Sequence, residues 1–389
     1  MPQPVDIRSL TALRFFAALW VVVYHFWPNL SDGPMPALAA RGYLGVELFF
    51  TLSGFILCHV YLDRVAAGRF SYGDFLWARV ARIYPLHLAT LAAVGVMAIA
   101  AQGLGRPVDA HVLSWASLPA NLTLTQAWGL APEAGWNHPS WSISAEWFAY
   151  LSFPLFAWAS LKLKRRPWMG LALALALLWG LYAVFAPLAG YSLTQATIRW
   201  GALRIVPCFA LGCAVNQLWR AGAAKGRIAG WGAAFSGSAV LACWLGGAPD
   251  AVIVSLFGGL ILCLAGLNRS GKRSLAGNIF VYLGEISYAI YMVCVPWKLL
   301  FVNAASALGG FDKAHLPLEI WLLFIAGVIP LAAAAHQLIE KPARSVLREW
   351  RAGSPMPTPS VAKESRSGIF CFAQAPGPAI PGPVETGGG

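Results

Sequence analysis

Apolar runs separated by short polar and basic segments fill the first 350 residues of the chain. A helix that crosses the hydrocarbon core of a bilayer needs about 20 mostly apolar residues, and ten runs come close to that length. They cover roughly residues 10–27, 43–61, 84–101, 142–161, 167–187, 199–219, 228–247, 250–267, 279–303 and 318–340. The pattern therefore predicts an all-α fold, a polytopic membrane bundle of about ten transmembrane helices.

The composition excludes an ordinary soluble domain. Of the 389 residues, 58% are apolar and 11% are charged, with a mean hydropathy of +0.62, whereas soluble domains carry about 25% charged residues. The seven cysteines include no CxxC spacing, and no two histidines stand at a ligand spacing. We therefore expect reduced cysteines in an apolar core, with neither a disulfide framework nor a metal site.

The composition changes again near residue 350. Residues 352–389 contain seven prolines, end in three glycines and show no hydrophobic period. Such a segment cannot bury enough apolar surface to fold alone. We expect residues 1–350 to form a transmembrane domain and residues 351–389 to form a Pro/Gly-rich, disordered cytoplasmic tail.

The distribution of the net charge of +12 predicts the orientation of the chain. Cytoplasmic loops of membrane proteins accumulate Lys and Arg. With the N-terminus inside, the inside loops hold nineteen Lys and Arg residues, and the outside loops hold three, Arg41, Arg106 and Lys313. Both termini are therefore predicted to be cytoplasmic, and the basic excess needs no nucleic-acid partner.

Ionisable side chains within apolar spans are costly and often functional, and the first helix holds two of them. Arg14 and His25 are eleven residues apart, so they share one helix face and lie about 16 Å apart along the axis. That face suits a lined passage with a cation at its inner end and a titratable imidazole at its outer end. A snorkelling arginine and a hydrogen-bonded structural histidine explain the spacing equally well.

The second and sixth helices contribute three more candidates. Glu47 lies near the outer end of the second helix, either as a surface acid at the lipid headgroups or as an inward site group. Ser53 and Gly54 are small residues suited to close helix packing. Arg204 lies deep in the sixth helix and needs a partner or a wet cavity.

Arg79 and Arg82 immediately precede the predicted third helix on the cytoplasmic side. Because they are three residues apart, their guanidinium groups lie on one face, and such groups bind phosphate bidentately. Anchoring to anionic lipid is the simpler explanation of the same pattern.

Glu146 lies about one turn inside the predicted fourth helix. An acid in the first turn interacts favourably with the helix dipole, and Ser142 or Ser144 is placed to cap the helix. An acid facing a site is the alternative.

Together these segments resemble the acyltransferase-3 family of bacterial membrane O-acyltransferases, over about residues 6–348. The motifs that carry the resemblance are, in chain order, Leu13-Arg14 through Tyr24-His25 with an Arg-x10-His spacing, Gly45 to Phe50 with Ser53-Gly54-Phe55, Arg79 to Pro85, Trp141 to Tyr150, Ile286 to Tyr291, and Ile339-Glu340-Lys341-Pro342. Each motif alone is weak, whereas six in order on the expected helices are specific.

The resemblance implies transfer of an acyl group, usually acetyl from acetyl-CoA, to a hydroxyl of a sugar-containing acceptor. The implied acceptors are surface polysaccharides and their precursors, oligosaccharides, and macrolides. Acyl-CoA is then a co-substrate, no cofactor stays bound, and the protein lies in the bacterial cytoplasmic membrane. The resemblance makes His25 the catalytic histidine, with Arg14 as its companion on the same helix. It assigns Arg79 and Arg82 to acyl-CoA binding and Glu146 to the acid of the fourth-helix motif.

The chain departs from the family's pattern in two places. Trp147 stands where a second acid often follows Glu146. Val293 and Cys294 stand where many members carry a Trp-His pair before the proline of the ninth helix.

Two functions are compatible with these residues. In an acyltransferase, His25 acts as general base on the acceptor hydroxyl, since an unperturbed imidazole pKa near 6.5 suits that task. Glu146 or Glu47 then holds the imidazole tautomer or binds the sugar, and Arg14 steadies the CoA chain or the oxyanion. In a transporter or flippase for a glycan or lipid-linked substrate, the same charged residues line a passage without chemistry.

Overall fold

A computed structural model describes residues 7–106, 108, 112–269 and 277–352. Residues 353–389 lie outside these ranges, so the disorder of the tail stays a prediction. Within the described residues the chain is helical and contains no strand. The fold class predicted from the apolar runs is therefore confirmed.

Fifteen α-helices follow one another along the described chain. Their bounds are α1 Arg8–Phe26, α2 Ala37–Ala40, α3 Gly45–Ala66, α4 Tyr72–Gly103, α5 Leu118–Leu122, α6 Trp141–Leu151, α7 Phe153–Leu163, α8 Pro167–Ala189, α9 Gly201–Ala221, α10 Gly226–Leu245, α11 Asp250–Arg269, α12 Asn278–Glu285, α13 Ser287–Gly309, α14 Leu318–Ala335 and α15 Lys341–Ala352. A π-helical turn, His336–Glu340, joins α14 to α15.

Nine helical stretches in the described part are long and apolar enough to cross a membrane. The missing tenth is the predicted helix over 142–161, which the structure divides at Ser152 into α6 and α7. Pro154 stands in the first turn of α7, where its missing N–H group does no harm, whereas inside one continuous helix the same proline would remove a hydrogen bond. The prediction of one unbroken helix here is wrong.

The packing directions show that α6 and α7 nevertheless carry the chain from one end of the bundle to the other. Arg204 pairs with Glu47 and Arg220 pairs with Asp63, so α9 lies parallel to α3 with a constant offset of 157 residues. The chain turns from α3 into α4 and from α8 into α9. Because α3 and α9 are parallel, the chain must cross the bundle once more between α4 and α8. The helices between them in sequence are α5, α6 and α7, and α5 has only five residues, so α6 and α7 together make this crossing.

The third helix begins earlier than predicted, at Tyr72 rather than near residue 84. The Ser71 hydroxyl caps it by accepting a hydrogen bond from the Asp74 backbone N–H at 3.3 Å. Arg79 and Arg82 therefore lie inside α4 and do not precede it. Hydropathy missed these turns because charged residues lower the average of an apolar window.

Glycine contacts bring the central helices close together. An added Cβ at Gly54 would lie 2.1 Å from the Phe209 carbonyl oxygen, and one at Gly212 would lie 2.0 Å from the Thr51 carbonyl oxygen. Helices α3 and α9 thus approach each other backbone to backbone, as small residues allow. The packing role predicted for Gly54 is confirmed, and this rigid pair forms one wall behind the site.

Candidate active site

A cavity of about 260 Å³ lies between α1, α3, α4, α6 and α13. Its apolar lining is interrupted by polar and charged side chains, which are Thr11, Arg14, Ser53, Arg79, Arg82, Ser142, Glu146, Tyr150, Ser287, Tyr288 and Tyr291. Residues from five separate helices therefore meet at one place. Five of the eight predicted site residues lie there, namely Arg14, Ser53, Arg79, Arg82 and Glu146.

Arg79 is held by an aromatic box. Its guanidinium carbon lies 5.7 Å from the ring centre of Tyr61, 6.0 Å from that of Phe75 and 5.8 Å from that of Tyr150. One terminal nitrogen donates to the Tyr61 hydroxyl at 3.3 Å. Stacking fixes the plane of a guanidinium while leaving N–H donors free for an anion. The sequence offered no signal for this box, because its members come from three helices.

Arg14 and Arg82 lie near each other in the same cavity, where each interacts electrostatically with the carboxylate of Glu146. Among the described residues, neither guanidinium forms a hydrogen bond or an ion pair within 4 Å. With Arg79, three cations line the cavity against one acid, so the cavity attracts anions. Arg14 does not snorkel toward the surface, because its side chain faces this cavity.

Glu146 accepts a hydrogen bond from the Ser53 hydroxyl at 2.7 Å. This bond joins α6 to α3 and fixes the carboxylate in the cavity wall. Helix α6 begins at Trp141, and no side chain caps it. The interpretation of Glu146 as an acid in a serine-capped first turn is therefore wrong. Ser53 is not only a packing residue, because its hydroxyl binds Glu146.

The two serines proposed as caps belong to other contacts. The Ser142 hydroxyl donates to the Tyr291 hydroxyl at 3.0 Å, which in turn donates to the Pro139 carbonyl at 2.9 Å. The Ser144 hydroxyl accepts from the Ala127 backbone N–H at 3.0 Å. The first chain of bonds joins two residues of the cavity lining and ties the turn His138–Ser140 to α13.

His25 lies on α1 outside the cavity lining. Its Nδ1 atom lies 2.8 Å from the Val21 carbonyl oxygen. Because a carbonyl only accepts, Nδ1 carries the proton, and in the neutral ring Nε2 has a free lone pair. The backbone of α1 itself thus sets the tautomer, and neither Glu146 nor Glu47 is needed for it.

His138, which the sequence reasoning passed over, lies at the same end as His25. Burial and, to a smaller extent, the charge of His25 lower the pKa of His138 to about 4. His138 is therefore neutral at physiological pH. The only sequence signal was its place in the Trp-Asn-His-Pro-Ser-Trp segment just before α6.

Glu47 and Arg204 form a buried ion pair away from the cavity. Arg204 Nε lies 2.5 Å from Glu47 Oε1 and Nη2 lies 3.0 Å from Oε2, while Nη1 donates to the Ala196 carbonyl at 2.9 Å. The Trp141 ring covers the guanidinium at 4.7 Å. The partner expected for Arg204 is thus Glu47, and Glu47 is not a surface acid. Any role of the pair in the site is one of support.

The helical bundle and its charged internal cavity define a multi-pass membrane protein with a polar site among its spans. The chain belongs to the acyltransferase-3 family, since the family model described as "Acyltransferase domain" matches residues 7–336. It is therefore a membrane acyltransferase, and family membership decides against the transporter hypothesis.

Relatives support this assignment. The chain is 30% identical to Acyltransferase MdmB from Streptomyces mycarofaciens over 397 aligned residues, which cover 92% of this chain and 97% of the relative. It is 24% identical to Nodulation protein 10 from Rhizobium leguminosarum bv. viciae over 365 residues, 86% and 93% of the two chains. Protein 2 in picA locus from Rhizobium radiobacter is 35% identical over 127 residues, 33% and 64% of the two chains. No solved structure matches.

Proposed function

We propose that this acyltransferase moves an acyl group, acetyl first, from cytosolic acyl-CoA to a hydroxyl of a sugar-containing acceptor. It acts in the bacterial cytoplasmic membrane, with the donor entering from the cytoplasmic end and the acceptor from the outer end. The observation that carries the proposal is the convergence of Arg14, Arg79 and Arg82 on one cavity with a single acid.

The cavity lined by Arg14, Arg79 and Arg82 suits the donor. CoA carries a pyrophosphate, and boxed or unpaired guanidinium groups bind phosphate oxygens in pairs. Arg79 and Arg82 lie within the first three turns of α4, at the predicted cytoplasmic end. A pocket for a whole drug-sized ligand has about 300–1,000 Å³, so a cavity of about 260 Å³ takes only part of CoA, and the pantetheine arm is the part narrow enough to enter.

His25 suits the acceptor end. His25 follows Arg14 by eleven residues on the same face of α1. A pantetheine arm that passes Arg14 would therefore run along this helix toward His25 and the outer side. His25 Nε2 takes the proton from the acceptor hydroxyl as the oxygen attacks the thioester carbonyl. The tetrahedral intermediate then expels the CoA sulfur and breaks the C–S bond. The imidazolium returns the proton to that sulfur, so the products are an ester and free CoA thiol.

Glu146 has a different role from holding the imidazole. Its carboxylate lies among the three arginines and is fixed by Ser53, so it limits their mutual repulsion and keeps them oriented. We assign selection of the acceptor to the outer end of the site. There, neutral His138 and the bond chain from Ser142 to Pro139 present hydrogen-bonding groups.

The test is release of free CoA thiol from acetyl-CoA by purified protein in detergent, with and without a crude mixture of cell-envelope glycans or macrolides. We expect acceptor-dependent release by the wild type and a loss of about 10²–10⁴-fold in His25→Ala, the usual size of general acid–base catalysis. His315→Ala is the control, since that histidine is exposed and pairs with Asp32 in a loop. Release that is unchanged in His25→Ala would contradict the general-base role.

A further inference from the structure

The C-terminal helix α15 packs along the first turns of α4. Arg351 pairs with Asp74 at 3.1 Å, and the Trp77 indole N–H donates to the Leu347 carbonyl at 2.7 Å. The numbers rise along α4 as they fall along α15, so the two helices are antiparallel. One further turn places Arg344 beside the segment of α4 that carries the cavity arginines.

Arg344 and Arg348 bring two more cations to that place. Arg344 is 29% exposed, lies 3.7 Å from a Glu340 carboxylate oxygen and interacts electrostatically with Arg79, Arg82 and Arg348. Arg348 follows four residues later on the same face and is exposed. It has no ion pair within 4 Å to any residue that the structure describes. Like charges at this spacing repel each other, so the cluster is stabilised when an anion binds.

The size of the cavity determines which anion reaches this cluster. Because the cavity takes only the pantetheine arm, the nucleotide end of CoA stays at its mouth. The pyrophosphate is attached directly to pantetheine and meets Arg79 and Arg82 first. The ribose 3′-phosphate lies farther out, where α15 runs.

We propose that Arg344 and Arg348 bind the 3′-phosphate of the donor nucleotide. This subsite rests on the proposed function, since it presupposes a CoA donor. It makes α15 part of the donor site and gives a role to two basic side chains on the helix that packs along the first turns of α4. A lipid headgroup offers the same phosphate chemistry, so the experiment must separate the two sources.

Dephospho-CoA, which lacks only the 3′-phosphate, is the probe. Dissociation constants for CoA and dephospho-CoA are measured by calorimetry on the full chain in neutral detergent and in nanodiscs with and without anionic lipid. We expect the wild type to bind CoA about tenfold more tightly than dephospho-CoA, the order of a charge-assisted hydrogen bond. Arg348→Ala should remove that preference and leave dephospho-CoA binding unchanged.

Three further variants control the result. Arg82→Ala should weaken both ligands alike, and Arg69→Ala, which removes an exposed arginine from the loop between α3 and α4, should change neither. Arg344→Ala should reproduce the loss of preference seen in Arg348→Ala, so the outcome does not depend on one variant.

Equal binding of CoA and dephospho-CoA by the wild type would overturn the subsite and leave the donor proposal intact. An effect of Arg348→Ala that appears only with anionic lipid, or that weakens both ligands equally, would also overturn it and assign α15 to headgroup binding. A wild type that binds neither ligand would refute the CoA donor itself and the subsite with it.

Discussion

Replacing Glu47 by glutamine should destabilise the protein without touching the transfer site. The carboxylate is 0% exposed and its partner Arg204 is 2% exposed, so the change leaves a buried guanidinium without its counter-charge. Removing one partner of a buried pair costs about 3–5 kcal/mol. Glutamine keeps one acceptor oxygen, and the Ala196 carbonyl keeps its bond to Arg204, so the cost should be near the lower limit.

The matched control comes from the same two helices. Asp63 pairs with Arg220 at 2.6 Å, but Asp63 is 80% exposed, and exposed pairs contribute about 0–1 kcal/mol. Thermal unfolding in one detergent should therefore give a Tm drop several times larger for Glu47→Gln than for Asp63→Asn. In Glu47→Gln/Arg204→Met, where no lone charge is left, part of the loss should be recovered.

Transfer activity per folded molecule is then measured at a temperature below the unfolding transitions of the wild type and the variant. It should stay close to wild type in Glu47→Gln. A variant with wild-type Tm and little activity would refute the structural role and return Glu47 to the list of site groups.

Three further predictions test other parts of the structure. Gly212→Ala should lower Tm sharply, since its Cβ would lie 2.0 Å from the Thr51 carbonyl oxygen, and a wild-type Tm would contradict the backbone contact. Ser53→Ala removes the 2.7 Å bond to Glu146 and should raise the donor KM a few-fold at nearly constant kcat; a fall in kcat alone would speak against Glu146 at the donor end. Between pH 6.5 and about 4 the unfolded chain protonates His138 while the folded chain keeps it neutral, so stability should fall on acidification. His138→Gln should lose less Tm than wild type between pH 7 and pH 5, and equal losses would contradict the neutral buried imidazole.

The spans were predictable because hydropathy reports the same apolar contacts that the bilayer and the bundle require. The ends of the helices were less predictable than the spans. Charged residues inside α4 hid its first turns, and Pro154 divides a run that averages as one helix. The capping serine at Ser71 and the proline were readable in principle, since both act locally.

The sequence identified the site residues individually, but it did not show that they lie together. Arg14, Arg79 and Glu146 each stood out as a charge in an apolar setting, yet spacing along the chain cannot show that they share a cavity. The Glu47–Arg204 pair joins positions 157 apart, and such pairs leave no local pattern. The tautomer of His25 depends on a backbone carbonyl, which every residue has, so no sequence signal marks it.

We propose a site with two ends, in which arginines bind the donor and His25 acts on the acceptor. The most direct test is the pair of steady-state constants for acetyl-CoA, measured by thiol release at saturating acceptor in Arg79→Ala and His25→Ala. We expect a raised KM with kcat largely kept in Arg79→Ala, and a lost kcat with KM largely kept in His25→Ala. Equal changes of both constants in both variants would contradict a division of labour between the two ends.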